Sequence, residues 1–163
     1  MKTKILLSAA MLGIVSTACQ MAVAPPGSKA EDNCNGSSKK CRVTVISIDP
    51  NTRKGTVDIN GLTIDHGAHN VHVFWRLTQS CFFNAAAGDG VFLKKPSDDD
   101  GQFSEQFPTD DENKNPAPNL KNGKKYHWKD KNTNAQVHKY DYKMTFHCDD
   151  GAPYDVDPWI QNG

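Results

Sequence analysis

NVHVFWRLT (Asn70–Thr78) is the stretch whose periodicity decides the fold. Val71, Val73, Trp75 and Leu77 fall on every second residue, so an extended chain places all four on one face. The same period of two runs through CRVTVISI (Cys41–Ile48), where Val43, Val45 and Ser47 alternate with Thr44, Ile46 and Ile48. KGTVDIN (Lys54–Asn60), GVFLKK (Gly90–Lys95), GQFSEQF (Gly101–Phe107), KKYHWKD (Lys124–Asp130) and QVHKYDYKMTF (Gln136–Phe146) supply further candidate strands. Asp-Pro, Gly, Asn and Pro-rich breaks separate them. Short strands divided by turn residues, with no long helical repeat after residue 41, predict an all-β domain. Its expected form is an antiparallel two-sheet sandwich, immunoglobulin-like in architecture by analogy only, since the cysteine spacing does not reproduce that family's framework. Trp75 is expected inside it, opposite Tyr140, Tyr142 and Met144 on the longest strand, and Trp128 is expected in the core rather than on a ligand.

Working outward, 163 residues suffice for one core but not for two ordinary domains and a leader. Lys+Arg and Asp+Glu stand at 19 each, so neither a basic footprint for nucleic acid nor an acidic tail is present.

The chain begins with Lys2 and Lys4, an apolar run from Ile5 to Val15, and the small residues Ser16, Thr17 and Ala18. That is the order of a secretory signal, and the run is shorter than the ~20 residues a membrane-spanning helix needs. Ser16-Thr17-Ala18-Cys19 resembles the lipobox of bacterial lipoproteins, in which a small or aliphatic tripeptide precedes a cysteine that receives diacylglycerol before cleavage. The position three before the cysteine, usually Leu or Val in that family, is Ser16 here. The resemblance implies lipidation of Cys19. Gln20, where Asp would mark inner-membrane retention in enterobacteria, implies an outer-membrane anchor facing the periplasm, or a secreted protein if Cys19 carries no lipid. The domain plan is a signal peptide over 1–18, a tether over 19–40 containing Pro25, Pro26 and Gly27, and the β domain over 41–163.

Cysteine arithmetic agrees with an exported chain. Five cysteines are present, and with Cys19 lipidated the other four can close two disulfides in three pairings. Cys34 with Cys41 across NGSSKK, and Cys81 with Cys148, is the favoured set. Further on, the succession VFWRL, GVFLKK, YHWKDKN, HKYDYKMTF and DVDPWIQNG is similar to small exported proteins of Gram-negative bacteria that carry no established function. That likeness implies a β domain with an Asp-Pro-x-Ile-x-Asn tail and attaches no activity.

Candidate chemistry is sparse. His66, His69 and His72 recur at every third residue, and three imidazoles suit zinc or copper with a position left open for catalysis. An extended strand from residue 70 separates His72 from the other two, which favours a polar loop entering a strand. Asp130, Asn132, Asn134 and Asp141 fall at calcium-loop spacing, but Ala135 stands where the turn glycine belongs and the flanks read as strands, so a hairpin turn explains them. Asp98, Asp99 and Asp100, and then Asp110, Asp111 and Glu112, read as solvated turns. Neither Asp65 beside His66 nor His147 near Asp149 makes a defined acid/base pair, and there is no Gly-x-Ser-x-Gly elbow. The sequence therefore favours an envelope lipoprotein acting as a binding or structural module, without a cofactor. Its partners are the membrane, through the anchor, and an envelope protein or glycan at aromatics such as Phe82, Phe83, Tyr126 and Trp159. The alternatives are a metal-dependent periplasmic enzyme using His66, His69 and His72, and an inhibitor of a secreted enzyme.

Overall fold

The structure, a computed structural model, describes residues 32–34, 40–78, 80–95, 99–110, 112 and 122–163. The leader, Cys19 and most of the tether lie outside the described residues. Those described form thirteen strands, and the one helical element among them is a 3-10 turn at Ala85–Ala87. In chain order the first seven are β1 (Asp32–Cys34), β2 (Lys40–Asp49), β3 (Lys54–Val57), β4 (Gly61–Ile64), β5 (Val71–Leu77), β6 (Cys81–Asn84) and β7 (Gly90–Leu93). The remaining six are β8 (Phe103–Thr109), β9 (Asn122–Gly123), β10 (Lys125–Asp130), β11 (His138–Cys148), β12 (Pro153–Val156) and β13 (Trp159–Asn162). The sheet thus reaches back to Asp32, into the segment assigned to the tether.

Alternation sets the inward faces as expected. Val71, Val73, Trp75 and Leu77 are all buried, as are Tyr140, Tyr142, Met144 and Phe146 along β11. Phe74, on the other face of β5, is also fully buried, so this strand is covered on both sides.

The pairing differs from the antiparallel expectation: the sheet is mixed. Its hydrogen-bonded path runs β1-β4-β13-β11-β12-β3-β2-β5-β10-β8, with β6 and β7 joined to β11 and β9 to β6. β1 with β4, β4 with β13, β3 with β12 and β2 with β5 are parallel. Alternation identifies a strand but not its neighbour. Residues 50–70 carry the chain away from β2 through β3 and β4, which gives β5 the length of connection a parallel return requires. The Asn-rich run after Asp130, expected as a hairpin turn, joins two strands that do not pair with each other.

The path bends back so that β5, β10 and β8 lie across β11. Trp75 meets Trp128 edge to face at 5.0 Å, and its Nε1 donates to the Tyr142 hydroxyl at 2.7 Å. Phe103 of β8 packs on Trp128 at 4.8 Å and on Tyr140 at 4.9 Å. Edge-to-face pairs of this kind contribute about 1 kcal/mol each beyond the area they bury. Cys34 is bonded to Cys41, tying β1 to β2, and Cys81 to Cys148, tying β6 to its partner β11. Gly61 is required where it stands, because a Cβ there would lie 2.0 Å from the Trp159 ring.

Candidate metal centre

The outward face of β5, β10 and β2 carries a closely spaced group of charged and imidazole side chains. Alternation puts His72, Phe74 and Arg76 outward on β5. The cross-strand register places Lys40, Arg42 and Thr44 beside them on β2, and Lys129, His127 and Lys125 on β10. At one end of this face Glu112 closes the positive charge. Arg42 Nε donates to its Oε2 at 2.8 Å, Arg76 Nε donates to its Oε1, and Lys40 donates to its backbone carbonyl. Burial alone would raise the Glu112 carboxyl, but the hydrogen bonds from Arg76 and Arg42 outweigh it and hold the pKa at about 2.

At the other end, His72 Nδ1 and His127 Nε2 lie 2.9 Å apart, with one atom donating and the other accepting. The Glu105 carboxylate of β8 completes a group whose donor atoms all lie within 4.8 Å of one another. Among the described residues this is the group able to hold a metal ion. His127 is fully buried, its ring stacked 5.1 Å from His72 and held between Phe74 at 4.9 Å and Phe107 at 5.1 Å. Burial, above all, pushes its pKa down to about 4; the charge of His72 adds to this, and Glu105 opposes it. A neutral imidazole with an available lone pair is the result at neutral pH. Its Nδ1 is buried and makes no hydrogen bond of normal geometry, although the Glu105 backbone carbonyl is close enough to pull its pKa slightly upward.

Of the three histidines singled out by spacing, only His72 belongs to this group. His66 and His69 are exposed in the turn before β5. His69 Nδ1 lies 2.7 Å from the Asn132 carbonyl oxygen, and Asn132 Nδ2 fastens the same turn by donating to the carbonyls of Asp65 at 2.7 Å and Ala68 at 3.1 Å. Asn132 in turn receives its place from Asp130, whose Oδ1 accepts from the Asn132 N–H at 2.8 Å and from Asn162 Nδ2 at 3.0 Å. Asn134 Nδ2 donates to the Tyr140 hydroxyl. The calcium-loop residues are thus distributed over a fold-holding network and do not converge on one point. Asp99 and Asp110 cap backbone N–H groups of Phe103 and Lys124, while Asp98 and Asp111 lie outside the described residues. His147 pairs not with Asp149 but with the buried Asp89, at 2.7 Å.

His127 and Glu105 went unseen in the sequence because their meeting with His72 depends on register. The one available signal was that VHVFW and KYHWKD each carry a histidine on an outward position. The aromatic residues read as a possible rim divide as well: Phe83 and Tyr126 are buried, and Trp159 lies half-buried over Gly61 with Lys139 Nζ 4.5 Å from its ring centre. No helix among the described residues is long and apolar enough to cross a membrane. Compared with protein-family models, curated proteins and solved structures, the chain matches none.

Proposed function

We propose that this chain is an exported lipoprotein of the bacterial envelope, anchored through Cys19, whose rigid β domain works as a binding module held at the membrane surface. The observation that carries the reading is the pairing of cysteines. Cys34, Cys41, Cys81 and Cys148 are joined to one another, so Cys19 has no intrachain partner left. A fifth cysteine directly after small residues, in a chain whose bridges suit an oxidising compartment, is accounted for by acylation. A single lipidated residue carrying two or three acyl chains anchors stably where one chain would not. The outer membrane, facing the periplasm, is the proposed address. The architecture is likened to a two-layered, immunoglobulin-like sandwich, supported by the packing of β5, β10 and β8 across β11. Mass spectrometry of the mature N-terminus tests the anchor: a diacylated or triacylated Cys19 is expected, and an unmodified terminus at or after Cys19 would overturn it.

A further inference from the structure

We propose that His72 Nδ1, His127 Nε2 and the Glu105 carboxylate form a three-ligand site for a divalent transition-metal ion on the outward face of β5, β10 and β8. This names the ligand of the binding module and rests on that part of the reading, not on the anchor.

The nitrogen separation is the first support. Two imidazole nitrogens on one ion at ~2.0–2.1 Å subtend a right angle when they are ~2.9 Å apart, and a tetrahedral angle at ~3.3 Å. The observed 2.9 Å matches the nitrogen spacing of adjacent positions on a square or octahedral ion, and a tetrahedral one needs an opening of about 0.4 Å. With ring centres 5.1 Å apart the two nitrogens now face each other, so the rings turn for both lone pairs to converge on the ion. Without an ion, only one proton can lie between the two atoms, so the metal would replace that shared proton.

The backbone supplies a second, independent observation. β8 and β10 pair with a register shift between His127 and Lys129, opposite Ser104 and Phe107, and Glu105 lies within that irregularity. Its φ is 54°, in the left-handed region that residues other than glycine rarely adopt. Bulges of this kind re-aim side chains, and this one brings Glu105 alongside two histidines from neighbouring strands.

The third support is graded burial. His127 is fully buried and fixed by two phenyl rings, His72 is half-buried, and Glu105 is exposed. One ligand is rigid and dry while the outer side of the ion faces solvent, which leaves positions for water or an exogenous donor and makes the ion exchangeable. Two imidazoles and one carboxylate suit zinc, copper, nickel or iron and not the oxygen-ligated calcium or magnesium. Zinc and copper are the ions to test.

The full chain, processed by the cell, carrying no polyhistidine tag and held in detergent, would be stripped with chelator and titrated with Zn²⁺ by calorimetry and with Cu²⁺ by electron paramagnetic resonance. One ion per chain is expected, with nitrogen hyperfine structure in the copper spectrum. Glu105→Gln, at an exposed position, is expected to weaken Zn²⁺ binding at least tenfold, and His72→Gln to abolish stoichiometric binding, with near-ultraviolet circular dichroism unchanged in both. The absence of stoichiometric binding by the parent chain would overturn the site, and so would an affinity indifferent to both substitutions. Loss of the ion on changing His66 and His69 alone would do the same and would transfer the site to the turn. The acyl mass of Cys19 is unaffected by any of these results, so this proposal and the anchor fail separately.

Discussion

Asp130→Asn is expected to stabilise the fold at neutral and alkaline pH and to flatten its dependence on pH. Asp130 ends β10 fully buried, with Oδ1 doubly hydrogen-bonded and Oδ2 without a donor. Burial, the dominant cause, raises its pKa from 3.8 to about 7, and the charge of Asp99 pushes the same way. The folded state therefore holds a proton between about pH 4 and pH 7 that the unfolded chain has already lost. Stability from this group is complete below about pH 4, falls as pH rises through that window, and levels off above about pH 7. A shift of this size corresponds to a ceiling of about 4 kcal/mol at 1.36 kcal/mol per unit; entry of water and local relaxation reduce it to about 2 kcal/mol. An asparagine retains the acceptor facing Asn132 and Asn162, and Asn162 Oδ1, itself buried without a donor, belongs to the amide already touching this site. Urea unfolding followed by tryptophan fluorescence at pH 4, 5.5, 7 and 8.5, with disulfides intact, measures the difference between the two chains. The variant is expected to gain about 2 kcal/mol on the parent between pH 4 and pH 8.5. Parallel curves, with the variant equally less stable throughout, would refute the reasoning, because they would mean that Asp130 titrates alike in both states.

Two further perturbations probe the frame. Removing the Cys81–Cys148 bridge by paired alanine substitutions is expected to cost about 4 kcal/mol in urea unfolding, against about 2 kcal/mol for Cys34–Cys41. The bridges close separations of 67 and 7 residues, and the reverse order of costs would show that local packing outweighs loop entropy. Glu112→Gln is expected to cost about 1 kcal/mol at pH 7, discounted because the Arg42 and Arg76 side chains are 47% and 38% exposed. With the pKa lowered to about 2, that contribution is present above about pH 4.5 and lost as pH falls towards 2. Parent and variant should therefore converge in acid, and a difference that persists at pH 2 would assign the loss to shape and not to charge.

What the residues disclose ahead of the structure is local. The alternation at Val71, Val73, Trp75 and Leu77 specifies a strand and its inner face, because both follow from a period of two that needs no neighbour. For the disulfides, the short separation of Cys34 from Cys41 only favoured one of three pairings, because connectivity is itself non-local. The parallel approach of β2 to β5 did not, because direction depends on where the intervening chain goes. The meeting of His72 with His127 and Glu105 is non-local in the same way: it needs the register of β5 on β10 and a bulge between β10 and β8. Regular spacing pointed instead to His66 and His69, which share a turn with each other and no face with His72.

The bridge between Cys34 and Cys41 acquires a mechanical meaning if the chain is held at Cys19. A pull from that side would reach β1, a strand of three residues whose partner among the described residues is β4. That edge alone would peel. At Cys34 the covalent link diverts the force into Cys41, in a ten-residue strand paired with β3 and β5. Under the proposed anchor, tension from a moving membrane would be taken up in the body of the sheet, as a cable clamp takes the strain off its terminal, and the short edge strand would yield without unravelling the domain behind it.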